Sequence, residues 1–179
     1  MGHRRALVLG SGGLTGMAWQ AGVLAGLADA GVRLESDLVV GTSAGALLGA
    51  HLASGTGLDA VVARLRTLPG RVGSIGWPAA SALLAAQLYP SRRHALAWLG
   101  RRAAKSWTPE RSAEWLRAVA GDLAGREWPG PLVVVATDAA TGRPAFLSAA
   151  RPADLAAAVA ASCAIPGVLP AVRIDGHLF

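Results

Sequence analysis

The chain has 179 residues, of which 53% are hydrophobic and 16% charged, a composition typical of one globular domain and not of a disordered polypeptide. Its formal net charge of +6 comes almost entirely from arginine, because Lys105 is the only lysine. This charge suits nucleic acid, anionic lipid or acidic substrates, but no zinc-finger spacing, aromatic RNA-binding signature or Lys/Arg tract favours nucleic acid.

Two uncharged runs are long enough to be tested as membrane spans, residues 38–58 and 155–172. Five glycines interrupt the first run, and Pro166, Gly167 and Pro170 interrupt the second, so neither predicts one continuous spanning helix. The apolar stretch at the N-terminus is too short for a signal peptide. The lone Cys163 excludes an internal disulfide and a cysteine-based metal cluster. We therefore expect a cytoplasmic protein.

Residues 5–10 predict a short apolar strand, followed by the glycine loop "GSGGLTG" and a helix over residues 17–31. Gly12 and Gly13 allow successive backbone amides to point the same way, as an oxyanion hole requires. Dinucleotide binding is the alternative reading of such a loop. However, in the frame that starts at Gly10, Thr15 stands where the third glycine of G-x-G-x-x-G belongs. The frame that ends at Gly16 starts with Ser11 where the first glycine belongs, so neither frame fits strictly.

A second strand, turn and helix surround "GTSAG", in which Ser43 lies between Gly41 and Gly45. The G-x-S-x-G spacing is typical of a nucleophile elbow, where a sharp turn presents the serine hydroxyl and the glycines allow close approach of neighbouring elements. The alternative is an ordinary glycine-rich turn, but the strand before and the helix after it favour the nucleophile. Two successive strand-loop-helix units indicate parallel strands and an α/β fold.

Residues 56–131 differ in character, because they contain five of the six tryptophans and a cluster of basic residues. Thr108 as N-cap and Pro109 at the first helical position predict a helix. This segment predicts a variable helical lid that touches an anionic membrane surface. The alternative is a set of core tryptophans on helices with a solvated basic face. The residues concerned are Trp77, Trp98, Trp107, Trp115 and Trp128, with Arg92, Arg93, Arg101, Arg102 and Lys105.

After residue 131 the pattern returns to strands and a helix. Residues 131–138 predict a buried strand, with a turn at residues 141–142 leading to another, and residues 152–164 predict a helix. The last nine residues alternate about Asp175-Gly176, which predicts a β-hairpin.

Three blocks of this sequence resemble the bacterial patatin-like phospholipases: residues 9–27 ("LGSGGLTGMAWQAGVLAGL"), residues 41–45 ("GTSAG") and residues 161–176 ("ASCAIPGVLPAVRIDG"). The resemblance covers nearly the whole chain and implies one domain, 1–179, with three layers and a mainly parallel central sheet. It further implies hydrolysis of lipid acyl esters by a Ser-Asp dyad, without metal or cofactor, with Ser43 as nucleophile. The first glycine loop, which includes Gly16, would form the oxyanion hole. Thr15 departs from the pattern, since many members have Arg or Lys there.

The acid of the dyad is the open point. The family places it in an Asp-Gly-Gly or Asp-Gly-Ala motif after a hairpin, and Asp175-Gly176 instead predicts the hairpin turn itself. We therefore expect the acid just beyond Phe179, in a C-terminal part missing from this chain, with Asp175 as the weaker alternative. His51 and His94 have no acid at a triad spacing, and Asp138 and Asp154 are interpreted as a turn residue and a first-turn helix residue.

Two other functions remain open from the sequence. A chain without its acid would be a non-catalytic lipid- or acyl-binding fragment. A nucleotide-binding domain is the weaker alternative, because it leaves Ser43 without a role.

Overall fold

The computed structural model describes residues 4–67, 77–105, 107–150 and 153–179, and the side chains of 64–79 and 83 lie outside that description. Six strands, seven α-helices and a one-turn 3₁₀ helix are present in these ranges. In chain order they are β1 (Ala6–Leu9), α1 (Gly13–Asp29), β2 (Leu38–Thr42), α2 (Ala44–Ala53), α3 (Leu58–Thr67), α4 (Trp77–Ala86), α5 (Arg92–Ala104), α6 (Pro109–Ala120), the 3₁₀ helix (Gly121–Leu123), β3 (Leu132–Thr137), β4 (Pro144–Ser148), α7 (Leu155–Ser162), β5 (Arg173–Ile174) and β6 (His177–Leu178).

The central sheet has four strands in the order β1-β2-β3-β4. The β1–β2 and β2–β3 pairs are parallel, and β4 pairs antiparallel with β3 across a short turn. This confirms the predicted mainly parallel α/β sheet flanked by helices. Because β1 and β2 run in the same direction with Leu9 opposite Gly41, the loops that follow them meet at one edge of the sheet.

The main core lies between this sheet and α2 and α7. Residues 44–51 of α2 are all buried, and α7 buries most of its length against β3 and α6. A helix that is apolar all round is expected where helices and sheet cover it on several sides. α2 therefore enters the interior directly from the predicted elbow.

Two of the tryptophans in the middle segment are structural. Trp115 and Trp128 pack against the main core, and their indole N–H groups donate to the carbonyls of Ala160 and Leu132 at 3.1 and 2.9 Å. An indole that is half-buried with its N–H bonded to main chain stabilises the core and is not presented to a ligand. Trp77 begins α4, but its side chain lies outside the described residues.

The predicted helix starts are confirmed at their capping residues. Thr108 Oγ1 accepts a hydrogen bond from the Arg111 N–H at 3.3 Å, with Pro109 at the first helical position. Asp154, which was predicted to lie in the first turn, is instead the N-cap of α7, which begins at Leu155, and accepts from the Ala157 N–H at 2.8 Å. Across the described ranges, none of the helices has the length and apolar character needed to cross a membrane.

Candidate active site

Ser43 lies at the junction of β2 and α2 with φ 54° and ψ −118°. A positive φ is uncommon for any residue but glycine, and its strain concentrates at functional positions where surrounding contacts enforce it. The turn from strand to helix takes this one residue, so the hydroxyl stands at the end of the sheet beside the start of α2. This is the geometry that the G-x-S-x-G spacing predicts.

The two flanking glycines are required by close packing. A Cβ on Gly45 would overlap the carbonyl oxygen of Leu9 at the end of β1, and one on Gly41 would lie 2.5 Å from the Gly45 oxygen. Neither position has room for a side chain. The first helical turn of α2 therefore lies directly against β1 and the loop that follows it.

The glycine loop after β1 is tied to the elbow. The Gly45 N–H donates to the Gly10 carbonyl at 3.1 Å, which places residues 10–16 beside Ser43. Gly13 has φ 58°, and a Cβ on Gly12 would lie 2.7 Å from Gly16 Cα, so each glycine serves the tight entry into α1. The N-terminus of α1 adds its positive dipole end at the same edge of the sheet.

Gln20 supports this loop, a role that the sequence analysis did not assign. Its side-chain Nε2 donates to the carbonyls of Gly10 and Gly16 at 3.1 and 3.0 Å, and the residue is buried. The available signal was a polar residue at helical spacing from Met17 and Leu24, which line the buried face of α1.

The end of α7 contacts Ser43 through two adjacent residues. The Ser43 N–H donates to Ser162 Oγ at 2.7 Å, and that hydroxyl donates to the Val135 carbonyl of β3 at 2.6 Å. The neighbouring Cys163 thiol is hydrogen-bonded to the Ser43 side chain. Burial raises the pKa of this thiol to about 11, and the contact with Ser43 only partly opposes that shift. At neutral pH Cys163 is therefore a protonated thiol.

Asp138 and Asp175, which the sequence predicts to be turn residues, are both held in turns. Asp138 accepts hydrogen bonds from the Ala140 N–H and from both the N–H and the hydroxyl of Thr141, at 3.1, 2.7 and 2.7 Å. Burial opposes its ionisation, but these bonds and the charge of His177 outweigh burial and lower the pKa of Asp138. Its Oδ2 lies 3.6 Å from His177 Nδ1, a pair to which the sequence analysis gave no role.

Asp175 is exposed at the tip of the β5–β6 hairpin, where it has φ 48° and Gly176 has φ 82°. Two positive φ values identify a type I′ turn, so the predicted hairpin is confirmed. Neither Asp138 nor Asp175 is hydrogen-bonded to Ser43, whose side-chain partners are Ser162 at the end of α7 and Cys163 after it.

The histidines do not join the elbow either. His51 is buried within α2, and its Nε2 lies 3.4 Å from Asp122 Oδ2 beside the 3₁₀ helix. His94 is exposed near the start of α5, where its ring nitrogen contacts the hydroxyl of Ser91. Among the residues that the structure describes, Ser43, the glycine loop and the third block come together without His51 or His94.

A cavity of ≈ 140 Å³ lies beside the elbow. Thr42 and Ser162 form part of its wall, and residues of α5 form the opposite part. Most of its lining is apolar, as is usual for sites that take an organic ligand. The residues contributed by α5 are Leu96, Gly100 and Ala103.

Comparison with known proteins agrees with this geometry. The family model described as patatin-like phospholipase matches residues 7–179. The chain belongs to the patatin-like phospholipase family. The match confirms the resemblance carried by the three sequence blocks, and membership supports a lipid ester hydrolase as the general kind of protein.

One solved relative of this patatin-like chain is the type III effector protein ExoU. The two share 24% sequence identity with a TM-score of 0.50, over 92% of this chain and 41% of ExoU. The likeness shows a common fold, and the patatin-like chain spans less than half of the ExoU chain. No curated protein gives a significant match.

Proposed function

We propose that this chain is a serine lipid acyl hydrolase in which Ser43 is the nucleophile. The observation that carries the proposal is the strained backbone of Ser43 at a β2–α2 elbow whose neighbouring glycines admit no side chain. Such strain costs about 1–3 kcal/mol and persists where the surrounding structure enforces it, most often at reactive residues. Membership of the patatin-like phospholipase family supports acyl esters of lipids as the substrate class.

In the proposed reaction, Ser43 Oγ attacks the acyl carbonyl carbon while its proton passes to an aspartate. The backbone amides of Gly12 and Gly13 stabilise the tetrahedral oxyanion, with the N-terminal dipole of α1 behind them. The leaving alcohol takes up the proton, and water then attacks the acyl-enzyme to release the fatty acid and regenerate Ser43. This sequence of steps uses no metal or cofactor.

The aspartate of the dyad is proposed to come from sequence outside residues 1–179. Three observations support this assignment. Asp138 is engaged by its own turn, Asp175 forms the tip of a hairpin, and neither contacts Ser43. Cys163, which does contact Ser43, is protonated at neutral pH and so is not a proton acceptor. Asp175 remains the weaker candidate.

A second candidate function is lipid or acyl binding without hydrolysis. It is favoured by the side chains that bond to Ser43, which are those of Ser162 and Cys163 and include neither Asp138 nor Asp175. In this case the apolar cavity beside Thr42 and Ser162 would hold the acyl group, and the elbow would serve only as a scaffold.

The proposed substrate class also suggests a cellular location for the protein. Lipid esters reside in membranes, so we propose that the protein is cytoplasmic and makes peripheral contact with the anionic inner face of the membrane. Residues 56–131 are proposed to act as the lid-like segment through which this contact is made.

The deciding experiment is hydrolysis of p-nitrophenyl esters by a protein that continues this chain beyond Phe179 to include the proposed acid, compared with its Ser43→Ala, Asp175→Ala and Ser36→Ala variants. The proposal expects Ser43→Ala to be inactive and Ser36→Ala, which removes a hydroxyl far from the elbow, to be unchanged. Loss of activity in Asp175→Ala as well would assign Asp175 as the acid. A folded, inert wild type that binds an acyl ester saturably would support the binding function instead.

A further inference from the structure

The helix pair α4–α5 has a one-sided charge. Residues 77–105 contain five of the 17 Lys and Arg residues and none of the 11 Asp and Glu residues. All five basic side chains are exposed. A surface with this balance attracts anionic groups, and no carboxylate within the helix pair neutralises it. The five residues are Arg92, Arg93, Arg101, Arg102 and Lys105.

Large apolar side chains lie exposed in the same segment. Leu84 is 65% exposed and Leu88, one helical turn later and just past the end of α4, is 87% exposed. Full exposure of two leucines at this spacing is costly in water and marks a surface that contacts an apolar phase. Aromatic residues continue the surface, because the Tyr89 ring lies 5.6 Å from that of Trp98.

Basic and apolar groups meet at Trp98. The Arg102 guanidinium lies 5.9 Å from the centre of the Trp98 ring, within reach of a cation-π interaction. A half-buried tryptophan flanked by arginine and exposed leucine is the composition that favours the boundary between lipid headgroups and acyl chains. Arg102, Trp98 and Tyr89 therefore lie on one surface.

This surface is fixed to the sheet that carries Ser43. Gly100 of α5 approaches Ala139 so closely that a Cβ would overlap its carbonyl oxygen, and Arg101 donates to the Ala140 carbonyl at 3.2 Å. The inward side of α5 lines the cavity that Thr42 and Ser162 also line. A membrane bound outside α5 would thus lie next to the elbow.

We propose that Leu84, Leu88, Tyr89 and Trp98, with the basic residues of α5, form a docking face for a negatively charged lipid bilayer. The leucines and aromatic rings enter the headgroup layer, and the arginines and lysine bind lipid phosphates. The inference deepens the proposed lipid hydrolase, since it specifies which surface meets the substrate membrane. Charge complementarity selects the occupant: a zwitterionic surface would offer the basic residues no net negative charge, and a nucleic acid would leave the leucines in water.

The test is vesicle co-sedimentation of the 179-residue chain with Ser43→Ala, so that hydrolysis does not alter the lipid. Vesicles of phosphatidylcholine alone are compared with vesicles that also contain phosphatidylglycerol, at low and high salt. The docking face is altered by Leu84→Ser with Leu88→Ser, and separately by Arg92→Gln with Arg102→Gln. Circular dichroism checks that each variant is folded, which the exposure of these side chains leads us to expect.

Matched controls come from residues on or near α1 and β1, outside helices α4 and α5. Trp19 is 70% exposed on α1, so Trp19→Ser removes an apolar side chain of similar exposure. Arg4→Gln with Arg33→Gln removes the same charge as the α5 pair from exposed positions elsewhere. If binding reflected only total charge or total exposed apolar area, these controls would weaken it equally.

We expect binding to anionic vesicles that decreases with salt, and weak binding to phosphatidylcholine alone. Each arginine removed from the docking face should lower the partition coefficient about fivefold, and the leucine pair about tenfold or more. Equal binding to both vesicle types, or controls as weak as the docking-face variants, would overturn the inference. Binding of duplex DNA that weakens with the arginine pair, without any vesicle binding, would assign the surface to nucleic acid.

Hydrolysis of a soluble p-nitrophenyl ester by the protein that continues beyond Phe179 and includes the proposed acid separates this inference from the proposed function. Docking-face variants that no longer bind vesicles but still hydrolyse the soluble ester would support both the docking face and the proposed hydrolase. Vesicle binding by a chain that hydrolyses no ester would retain the docking face and reject the enzyme. Ester hydrolysis without vesicle binding would retain the enzyme and reject the docking face.

Discussion

The backbone N–H of Ser43 donates to Ser162 Oγ at 2.7 Å, and the same hydroxyl donates to the Val135 carbonyl at 2.6 Å. Ser162 thus connects the residue with positive φ to the adjacent strand of the sheet. A buried donor at a strained position needs a partner, and no other element supplies one here. We infer that Ser162 is a positioning residue for the nucleophile.

Ser162→Ala should lower the rate at which a fluorophosphonate labels Ser43 by about tenfold, because loss of one hydrogen bond of this kind weakens the reactive geometry by about 1.4 kcal/mol. In ester hydrolysis the loss should appear mainly in kcat, because the Ser162 hydroxyl bonds to the main chain of Ser43 and Val135, and the cavity wall to which Ser162 contributes is mostly apolar. Ser162→Thr keeps a hydroxyl and should recover most of the rate.

Ser36→Ala is the matched control, because Ser36 is also half-buried and donates to a main-chain carbonyl, that of Leu34, at 3.1 Å. It should leave labelling unchanged. A crystal structure of Ser162→Ala provides a readout that does not depend on activity: Ser43 should leave its positive φ. A labelling rate in Ser162→Ala equal to that of wild type, with Ser43 unmoved, would contradict the positioning role.

Gly45→Ala should severely destabilise the fold. The added Cβ would overlap the Leu9 carbonyl, and because that contact is main chain to main chain, no side-chain rotation relieves it. Gly26→Ala is the comparison, since Gly26 is an exposed position in α1 with nothing within 4 Å of an added Cβ. It should stabilise the protein by about 0.5–1 kcal/mol through helix propensity. Denaturant unfolding of both variants checks the prediction, and equal stability of the two would contradict it.

Cys163 should react slowly with thiol reagents in the folded protein. Burial raises its pKa to about 11 from an ordinary 9.0, so the thiolate is roughly a hundredfold scarcer at pH 8, and the side chain is 8% exposed. We expect slow reaction with a disulfide reagent, rapid reaction after addition of denaturant, and none in Cys163→Ser. Fast modification of the native protein at pH 8 would show that the thiol is neither buried nor protonated.

The sequence predicted those parts of the site that local patterns encode. The strand-turn-helix around Ser43 and the Asp175-Gly176 hairpin each lie within a few residues of their own signal, and both have the expected backbone conformations. The contact of Ser162 with Ser43 joins residues 119 positions apart. Because the packing of α7 against β3 and α2 brings them together, no periodicity or turn residue could predict it. The role of Gln20 could not be predicted from the sequence either, since the path of the glycine loop fixes the carbonyl groups to which it donates.

The Asp138 turn should make the protein sensitive to acid. Burial alone would raise the pKa of this carboxyl, but hydrogen bonds from Thr141 and Ala140 and the charge of His177 together lower it below 3.8. As pH falls, Asp138 is therefore protonated in the unfolded chain before it is protonated in the folded protein. The stability that Asp138 contributes is complete above pH 3.8 and is lost as pH falls through the folded pKa. Asp138→Asn removes this titration, so the difference in unfolding free energy between wild type and variant should shrink with acidification. Thr141→Val removes the hydroxyl that donates to Asp138, so the folded pKa of Asp138 should move closer to its ordinary value. The stability that Asp138 contributes should then be lost over a narrower pH range. Denaturant unfolding across an acid series measures each difference, and one that stays constant or grows towards low pH would contradict the assigned sign.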